Sequence, residues 1–365
     1  MRFKFLIAAA LLVTTFCFGQ ANVLSEKAQI SIITCGNGTE SYSMFGHTAI
    51  RVNDVTQSLD VVFNYGTFDF ETPNFMLKFI KGDLQYFVSA SRFEHFMASY
   101  QYENRSVIEQ VIDLPKDKKQ ELYSTLTNQL YNEDRFYTYK FIDNNCTTKT
   151  NVILNSVLDE EIPLKVKSEE NYRAVLYPYL QNNYFLNLGI QLIFGNRVDD
   201  AAETQFLPQQ FFNSIEKSKY VLAENHLFSA KATENKVPFW NSPVVFLVAL
   251  LLLFVTLNKW VHVLFFAIAG LLGVFFTSIG MYSLHTEVLW NYNVLLFNPI
   301  TLYIAFLLLR DKKQSLKTPL LIYGFGLLVY FGLIFKSVVL HVAYPILLLF
   351  VALTLFYFIK SIKKA

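Results

Sequence analysis

The chain has 365 residues, of which 53% are hydrophobic and 16% are charged, and its formal net charge is +2. This composition is too apolar and too poor in charge for an ordinary soluble protein, so much of the chain is expected to lie in lipid. The nearly balanced charge, without a basic stripe interleaved with aromatic residues, excludes a nucleic-acid partner.

The N-terminus has the layout of a secretory signal. Residues 1–4 form a short basic region, residues 5–18 are apolar, and residues 19–21 supply small residues for cleavage of the signal. We therefore expect a signal peptide over residues 1–21 and export of residues 22–237. An uncleaved anchor helix is the alternative, although its apolar core is short for a membrane span.

The exported residues 22–237 predict an α+β domain. Runs of alternating or β-branched residues bounded by Gly, Asn and Asp are typical of antiparallel strands, and amphipathic spacing is typical of helices. Strands are predicted over 28–34, 47–52, 59–65 and 105–114, a strand edge over 137–141, and helices over 75–81, 92–100 and 118–131.

Cys146 follows the cap and turn residues 142–145 and begins a further predicted helix. Unpaired backbone N–H groups at a helix N-terminus lower the pKa of a thiol and favour the nucleophilic thiolate. Cys146 is therefore the candidate nucleophile.

A thiolate of this kind needs a base beside it, and His47 and His95 are the histidines in the body of the domain before Cys146. His47 follows Gly46 and starts a predicted strand, so we predict that it is the base and that His95 is a packing or surface residue. Cys35 is predicted to be a small buried side chain near the site, although a disulfide with Cys146 would make both cysteines structural.

From residue 238 onward the chain consists of apolar runs of about 17 to 24 residues, each long enough to cross a bilayer. Five membrane spans are predicted, over 238–257, 261–284, 288–309, 319–335 and 338–359, which form an all-α transmembrane bundle in residues 238–365.

The basic residues between these spans predict the orientation in the membrane, because Lys and Arg are retained on the cytoplasmic side. Eight of them follow the first, third and fifth spans, and the other connections hold only Lys336. We therefore expect a multi-pass protein of the inner membrane with a cytoplasmic C-terminus and residues 22–237 in the periplasm.

The second outer loop is unusually polar for a connection between spans and contains His285, Asn291 and Asn293. Polar groups near membrane depth are costly and often functional, so these residues are candidates for contact with substrate. The alternative is an interfacial belt of Trp and Tyr with solvated polar neighbours.

Two segments together resemble a known superfamily. Residues 46–52, GHTAIRV, are followed about a hundred residues later by residues 144–148, NNCTT. This arrangement looks like the circularly permuted branch of the papain-like NlpC-type superfamily, in which the histidine precedes the cysteine. Lecithin-retinol acyltransferases and phospholipid N-acyltransferases belong to that branch, and they move an acyl group through a cysteine thioester.

More narrowly, residues 34–36, Ser43, residues 64–70, residues 145–148 and the outer loop 285–298 resemble the Lnb family of Bacteroidota. Members are lipoprotein N-acyltransferases with a periplasmic domain followed by membrane spans. The resemblance implies transfer of an acyl chain from a phospholipid donor to the free α-amino group of a diacylglyceryl-cysteine lipoprotein.

The resemblance also implies roles for several side chains. A polar residue on the strand after the histidine orients the imidazole in permuted relatives, and Asn64 is the first choice here, ahead of Asp60 and Asp69; Asn64 could instead be a turn residue before Gly66. Backbone N–H groups at the helix start, with Asn145, are expected to stabilise the oxyanion. Further candidates for the polar wall of the site are Ser43 and Arg51.

The sequence predicts neither a metal nor an organic cofactor, because no His-x-x-x-His, Cys-x-x-Cys or Gly-rich phosphate motif occurs. Two rival functions stay open. A peptidase or amidase acting on cell-wall peptide would use the same dyad with water as acceptor, and a membrane-anchored binding module would have no activity.

Overall fold

The computed structural model describes residues 23–40, 42–231, 237–256 and 258–363. The predicted signal peptide, residues 1–21, lies outside the described residues. The described chain consists of a sheet-containing N-terminal part followed by a helical part.

The N-terminal part is built on a seven-stranded antiparallel sheet with the strand order β6-β4-β3-β2-β1-β5-β7. The strands are β1 (Gln29–Cys35), β2 (His47–Asp54), β3 (Leu59–Thr67), β4 (Gln85–Arg92), β5 (Val107–Ile112), β6 (Phe136–Thr138) and β7 (Val221–Phe228). The four predicted strands are confirmed as β1, β2, β3 and β5, and the predicted edge contributes β6, whereas β4 and β7 were not predicted.

Helices cover both faces of this sheet. They are α1 (Phe75–Lys81), α2 (Phe93–Tyr102), α3 (Lys116–Tyr131), α4 (Cys146–Asn155), α5 (Tyr172–Leu180), α6 (Tyr184–Ile193) and α7 (Pro208–Glu216). The predicted helices are confirmed as α1, α2, α3 and α4. The later helices α5 to α7 were not predicted.

Strand β1 lies inside the sheet and is buried on both faces, which explains its nearly continuous apolar sequence. Ile30 and Ile32 pack in a core cluster with residues of α3, α4 and α7. Ile33 and Cys35 point to the opposite face and pack in a smaller cluster against α2. The end of β1 at Cys35 pairs with His47 at the start of β2.

The helical part contains α8 (Pro243–Val255), α9 (Lys259–Tyr282), α10 (Ile300–Leu309), α11 (Lys317–Ile334) and α12 (Val338–Ile362). Four segments among the described residues are long and apolar enough to cross a membrane, namely Lys259–Tyr282, Thr286–Leu309, Lys313–Ile334 and Val338–Ile362.

The predicted bundle of about five helices is confirmed as α8 to α12, and four of the five predicted spans are confirmed as candidate spans. The first predicted span forms α8, whose 13 residues extend about 20 Å at 1.5 Å per residue and are shorter than a hydrocarbon core of about 30 Å. The third predicted span is regular α-helix only in α10, and two short 3₁₀ turns, Thr286–Val288 and Tyr292–Leu295, precede it.

Asn291 and Asn293 support this irregular stretch. The Asn291 amide donates hydrogen bonds to the carbonyls of Leu192 and Ile193, and Asn293 donates to three carbonyls around the end of α6 and accepts one from Tyr330. Non-helical backbone beside membrane helices is tolerated where protein groups satisfy it. The two asparagines thus join the helical part to α6.

Arg173 is fully buried in α5 and organises the connection from α6 to the following turn. Its guanidinium donates hydrogen bonds of 2.9 Å to the carbonyls of Gln191, Phe194 and Gly195, and its Nε lies 2.8 Å from the Asp199 carboxylate. Each donor of the planar guanidinium meets an acceptor, so the buried charge is fully compensated.

Replacing Arg173 with alanine is expected to lower the free energy of unfolding by about 3–5 kcal/mol, because the Asp199 charge and the carbonyls lose their partner. Urea titration in detergent micelles measures the loss. Arg92→Ala is the matched control, since that arginine side chain is 74% exposed, and it should change the value by less than about 0.5 kcal/mol. Equal losses in the two variants would contradict the prediction.

Candidate active site

Cys146 is the first residue of α4, as the sequence predicted, and its side chain is half-buried. Asn145 caps the helix, because its Oδ1 accepts hydrogen bonds from the N–H groups of Thr147 at 2.9 Å and Thr148 at 3.0 Å. The Thr148 hydroxyl accepts in return from the Asn145 N–H at 2.8 Å, which completes a capping box. This local network fixes the position of the thiol.

His47 begins β2 directly after Gly46, whose φ of +84° places it in the left-handed region that favours glycine. A Cβ at Gly46 would lie 2.6 Å from the Cys35 carbonyl oxygen. The glycine therefore allows the close turn that brings His47 to the end of β1.

Asn64 lies on β3 with its Oδ1 3.2 Å from His47 Nε2. Its Nδ2 donates to the Val62 carbonyl at 3.3 Å, which fixes which end of the amide faces the imidazole. A carbonyl oxygen accepts only, so His47 Nε2 carries the proton and Nδ1 is the nitrogen that can receive one. Asn64 thus occupies the position expected of an orienting residue.

His47 and Cys146 act on each other electrostatically. Burial alone raises the pKa of the Cys146 thiol, but the positive charge and hydrogen bonding of His47 oppose this effect. The Thr48 N–H and the Thr147 hydroxyl also stabilise the thiolate, and the net result is a pKa below the ordinary value of 9.0. The arrangement favours the thiolate form of Cys146.

Cys35 lies near this pair but has the opposite character. Both Cys35 and Cys146 are free thiols, so the structure does not contain a disulfide between them. Burial raises the pKa of Cys35 to about 12, despite opposing effects of Tyr100 and Arg105. Cys35 therefore stays protonated at neutral pH and packs as a small apolar side chain.

Three of the polar candidates have structural partners. The Asn145 Nδ2 donates to the carbonyls of Phe141 and Phe206, both at 2.8 Å, so both of its hydrogens have acceptors within the protein, and its oxyanion role stays a prediction. Ser43 donates to the Glu40 carbonyl at 3.1 Å in the turn before His47. Arg51 pairs with Asp60 at 2.8 Å and Glu109 at 2.9 Å, further along β2.

The outer-loop candidates also have structural partners. His285 Nε2 donates to the Phe79 carbonyl at 2.9 Å, and burial lowers the pKa of its imidazole. Asn291 and Asn293 bind the end of α6, as described above. In the sheet-containing part, Asp69 accepts a hydrogen bond from the Glu71 N–H, and His95 is a surface residue with a 73% exposed side chain.

The sequence did not single out Glu287, which lies on the second outer loop and is buried. Its Oε1 accepts the Ile142 N–H at 3.0 Å, just before the cap of the nucleophile helix. Its Oε2 is buried and has no hydrogen-bond partner among the described ranges. A carboxylate beside a membrane span is unfavourable in free energy and is therefore rare without a function. The position of Glu287 next to an apolar run was the sequence signal that could have identified it.

Two further contacts hold residues 138–145, which we call the nucleophile turn, against the outer loop. Lys140 donates to the Leu284 carbonyl, and Arg197 bridges the Asp143 carboxylate at 2.7 Å and the Thr286 hydroxyl at 2.8 Å. Together with Glu287, these contacts fix the start of α4 to the helical part of the chain.

Within the described residues, no group of three or more His, Cys, Asp or Glu side chains is arranged to hold a metal ion. The side chains at the site instead form a thiol, a base and an orienting amide. A set of this kind has the groups that thiol-dependent nucleophilic catalysis requires.

The family comparisons agree with this architecture. The family model for the Lnb N-terminal periplasmic domain matches residues 17–180, and the model for the Lnb transmembrane domain matches residues 232–365. Neither the curated proteins nor the solved structures that were compared include a match. The two matched regions, in this order, show that the chain belongs to the Lnb family of membrane proteins, with a periplasmic N-terminal domain followed by a transmembrane domain.

Proposed function

We propose that this protein is a lipoprotein N-acyltransferase, which moves an acyl chain from a phospholipid to the N-terminal amine of a diacylglyceryl-cysteine lipoprotein. The observation that carries the proposal is the placement of Cys146 at the start of α4 with its pKa lowered by His47, on a domain joined to membrane helices. The permuted papain-like fold is part of the proposal, supported by the order of His47 on β2 before Cys146 on α4.

The first half-reaction forms a thioester. His47 Nδ1 takes the Cys146 proton, and the thiolate attacks the ester carbonyl carbon of the phospholipid. The Cys146 N–H, which has no acceptor within α4, stabilises the resulting oxyanion. When the ester C–O bond breaks, the departing lysophospholipid oxygen receives the proton from His47, and the acyl group stays on sulfur.

The second half-reaction transfers the acyl group. The lipoprotein amine attacks the thioester carbonyl, a C–N bond forms and the C–S bond breaks. His47 accepts the proton released by nitrogen, and the Cys146 thiolate is restored. Asn64 keeps the imidazole in one tautomer and orientation throughout, which is a positioning role.

The proposed localisation is the inner membrane, with the C-terminus in the cytoplasm. Residues 283–287, which follow α9, contact the periplasmic domain, so Lys259 at the opposite end of α9 faces the other side. This arrangement agrees with the distribution of basic residues between the spans.

Mass spectrometry of lipoprotein N-terminal peptides tests the function. Cells with wild-type protein should carry an amide-linked third acyl chain, and cells with Cys146→Ala at equal abundance should lack it. Cys35→Ala is the matched control and should keep the modification. Persistence of the third chain in the Cys146→Ala cells would refute the proposal, and accumulation of uncleaved cell-wall peptide there would indicate a hydrolase.

A further inference from the structure

Helix α1 of the periplasmic domain lies at the membrane surface. The Leu284 N–H donates to the Lys81 carbonyl at 2.7 Å, and the Ser283 hydroxyl donates to the Ile80 carbonyl at 3.0 Å. Leu284 and Ser283 directly follow the 24-residue helix α9, which is long and apolar enough to span a bilayer. These bonds place the C-terminal end of α1 at the height of the periplasmic lipid interface.

The segment 68–81, which contains α1, presents large apolar side chains to its surroundings, and none of the α1 residues is buried within the protein. Phe70 is 70% exposed, Met76 is 62% exposed and Leu77 is 64% exposed. A contiguous apolar surface of this kind marks an interaction site. Because the surface lies beside a membrane span, its partner is the outer leaflet of the bilayer.

The two lysines of α1, Lys78 and Lys81, lie in its last turn. A lysine can place its methylene stem along an apolar surface while its ammonium group stays in water, and phospholipids carry a negative phosphate at that depth. Lys81 pairs with the Asp83 carboxylate, so Lys78 supplies the charge of α1 that complements the headgroup region, and the apolar residues of α1 complement the acyl chains.

A row of aromatic rings connects this segment with the region of Cys146. The rings of Phe70 and Phe68 lie 4.8 Å apart between centroids, those of Phe68 and Tyr86 lie 5.2 Å apart, and Tyr86 stacks on Tyr139 at 4.4 Å. Phe68, Tyr139 and Cys146 all pack against the same apolar cluster.

The backbone at the end of β3 also lies close to Cys146. A Cβ built at Gly66 would lie 3.7 Å from the Cβ of Cys146, so the nucleophile rests against the end of β3. Phe68 follows two residues later. Apolar packing contacts thus continue from the exposed rings of the segment 68–81, through the buried Tyr86, to the cluster that packs against Cys146.

We propose that the segment 68–81 inserts into the outer leaflet and that the aromatic row guides a phospholipid acyl chain from the bilayer to Cys146. This inference rests on the proposed function for its second half, the delivery of substrate. The membrane contact of α1 is inferred from geometry and exposure alone. The membrane contact and the delivery of the acyl chain are therefore tested separately.

The first experiment tests the membrane contact. The photoreactive p-benzoylphenylalanine is placed at Leu77 or, as the matched control, at Tyr131, which is 86% exposed at the end of α3. Each protein carries Cys146→Ala and is irradiated in vesicles of phosphatidylethanolamine and phosphatidylglycerol. Phospholipid adducts are expected at position 77 and at least tenfold fewer at position 131. Equal yields at the two positions would overturn the membrane contact.

The second experiment tests delivery. A triple variant, Phe70→Ser, Met76→Ser and Leu77→Ser, should form the acyl-Cys146 thioester from vesicle phospholipid at least tenfold more slowly than wild type. Alkylation of Cys146 by soluble iodoacetamide should be unchanged, which distinguishes loss of delivery from loss of the site.

The matched triple variant replaces three exposed apolar residues elsewhere in the domain, Val55→Ser, Tyr102→Ser and Tyr131→Ser, and it should acylate like wild type. Equal acylation rates in both triple variants would overturn the delivery path. If wild-type protein forms no thioester at all, the proposed function fails, whereas the crosslinking result still decides the membrane contact.

Discussion

His47→Ala is expected to slow the alkylation of Cys146 by iodoacetamide at pH 7 by about tenfold or more. In the wild-type protein, burial raises the pKa of Cys146, but His47 and the neighbouring donors lower it below 9.0. Without the imidazole the effect of burial dominates and the pKa rises, and each unit of increase reduces the thiolate fraction at pH 7 about tenfold. Only the thiolate reacts, so the rate falls with it.

The measurement is the alkylation rate from pH 5 to pH 10, in detergent, with the modified peptide identified by mass spectrometry. The midpoint for His47→Ala should lie at higher pH than that for wild type, and the midpoint for His95→Ala should not move, because His95 is a surface residue. Cys35, with a pKa of about 12, should stay unmodified over this range. A common midpoint for the three proteins, or modification of Cys35 together with Cys146, would contradict the proposed pair.

Glu287→Ala is expected to reduce formation of the acyl-Cys146 thioester by up to about 100-fold, since displacement of a reacting group by about 1 Å can have this effect. The substitution leaves the buried Ile142 N–H without its acceptor and removes one of the contacts that hold the nucleophile turn against the outer loop. Glu287→Gln keeps an oxygen that can accept this hydrogen bond, so it should retain most of the activity.

Thioester formation and iodoacetamide alkylation are measured on the same preparations. A positioning role predicts that Glu287→Ala changes both rates and that Glu287→Gln restores them, whereas Glu216→Ala, at an exposed position at the end of α7, should behave like wild type. If Glu287→Ala unfolds no more easily than wild type and acylates at the same rate, the contact between the outer loop and the nucleophile turn has no role in catalysis.

Much of the local structure could be predicted from the sequence because local patterns decide it. The alternation of apolar residues indicated β1, β2 and β3, and the polar turn before Cys146 indicated the start of α4. Strand β7 escaped prediction because it is a mostly exposed edge strand, without an apolar alternation. The third predicted span is a candidate span, but its irregular start was not predicted, because hydropathy does not distinguish a regular helix from irregular backbone buried among helices.

For the candidate site, too, local sequence features predicted some properties and the tertiary structure decided others. The sequence by itself determined which residue types could react, since a thiol after a capping residue and a histidine after a glycine are local features. For Asn64 and Cys35 the sequence left two alternatives open. The tertiary structure placed Asn64 beside His47, kept Cys35 as a buried free thiol and gave Asn145, Asn291 and Asn293 structural partners.

The role of Glu287 was also decided by the tertiary structure, because it contacts a backbone group 145 positions earlier in the chain. A sequence pattern reports which groups a chain carries at each position and how the adjacent backbone folds. The neighbours of a buried polar group depend on sheet order and helix packing, which bring distant segments together, and those neighbours decide whether the group reacts, caps a helix or fixes a loop.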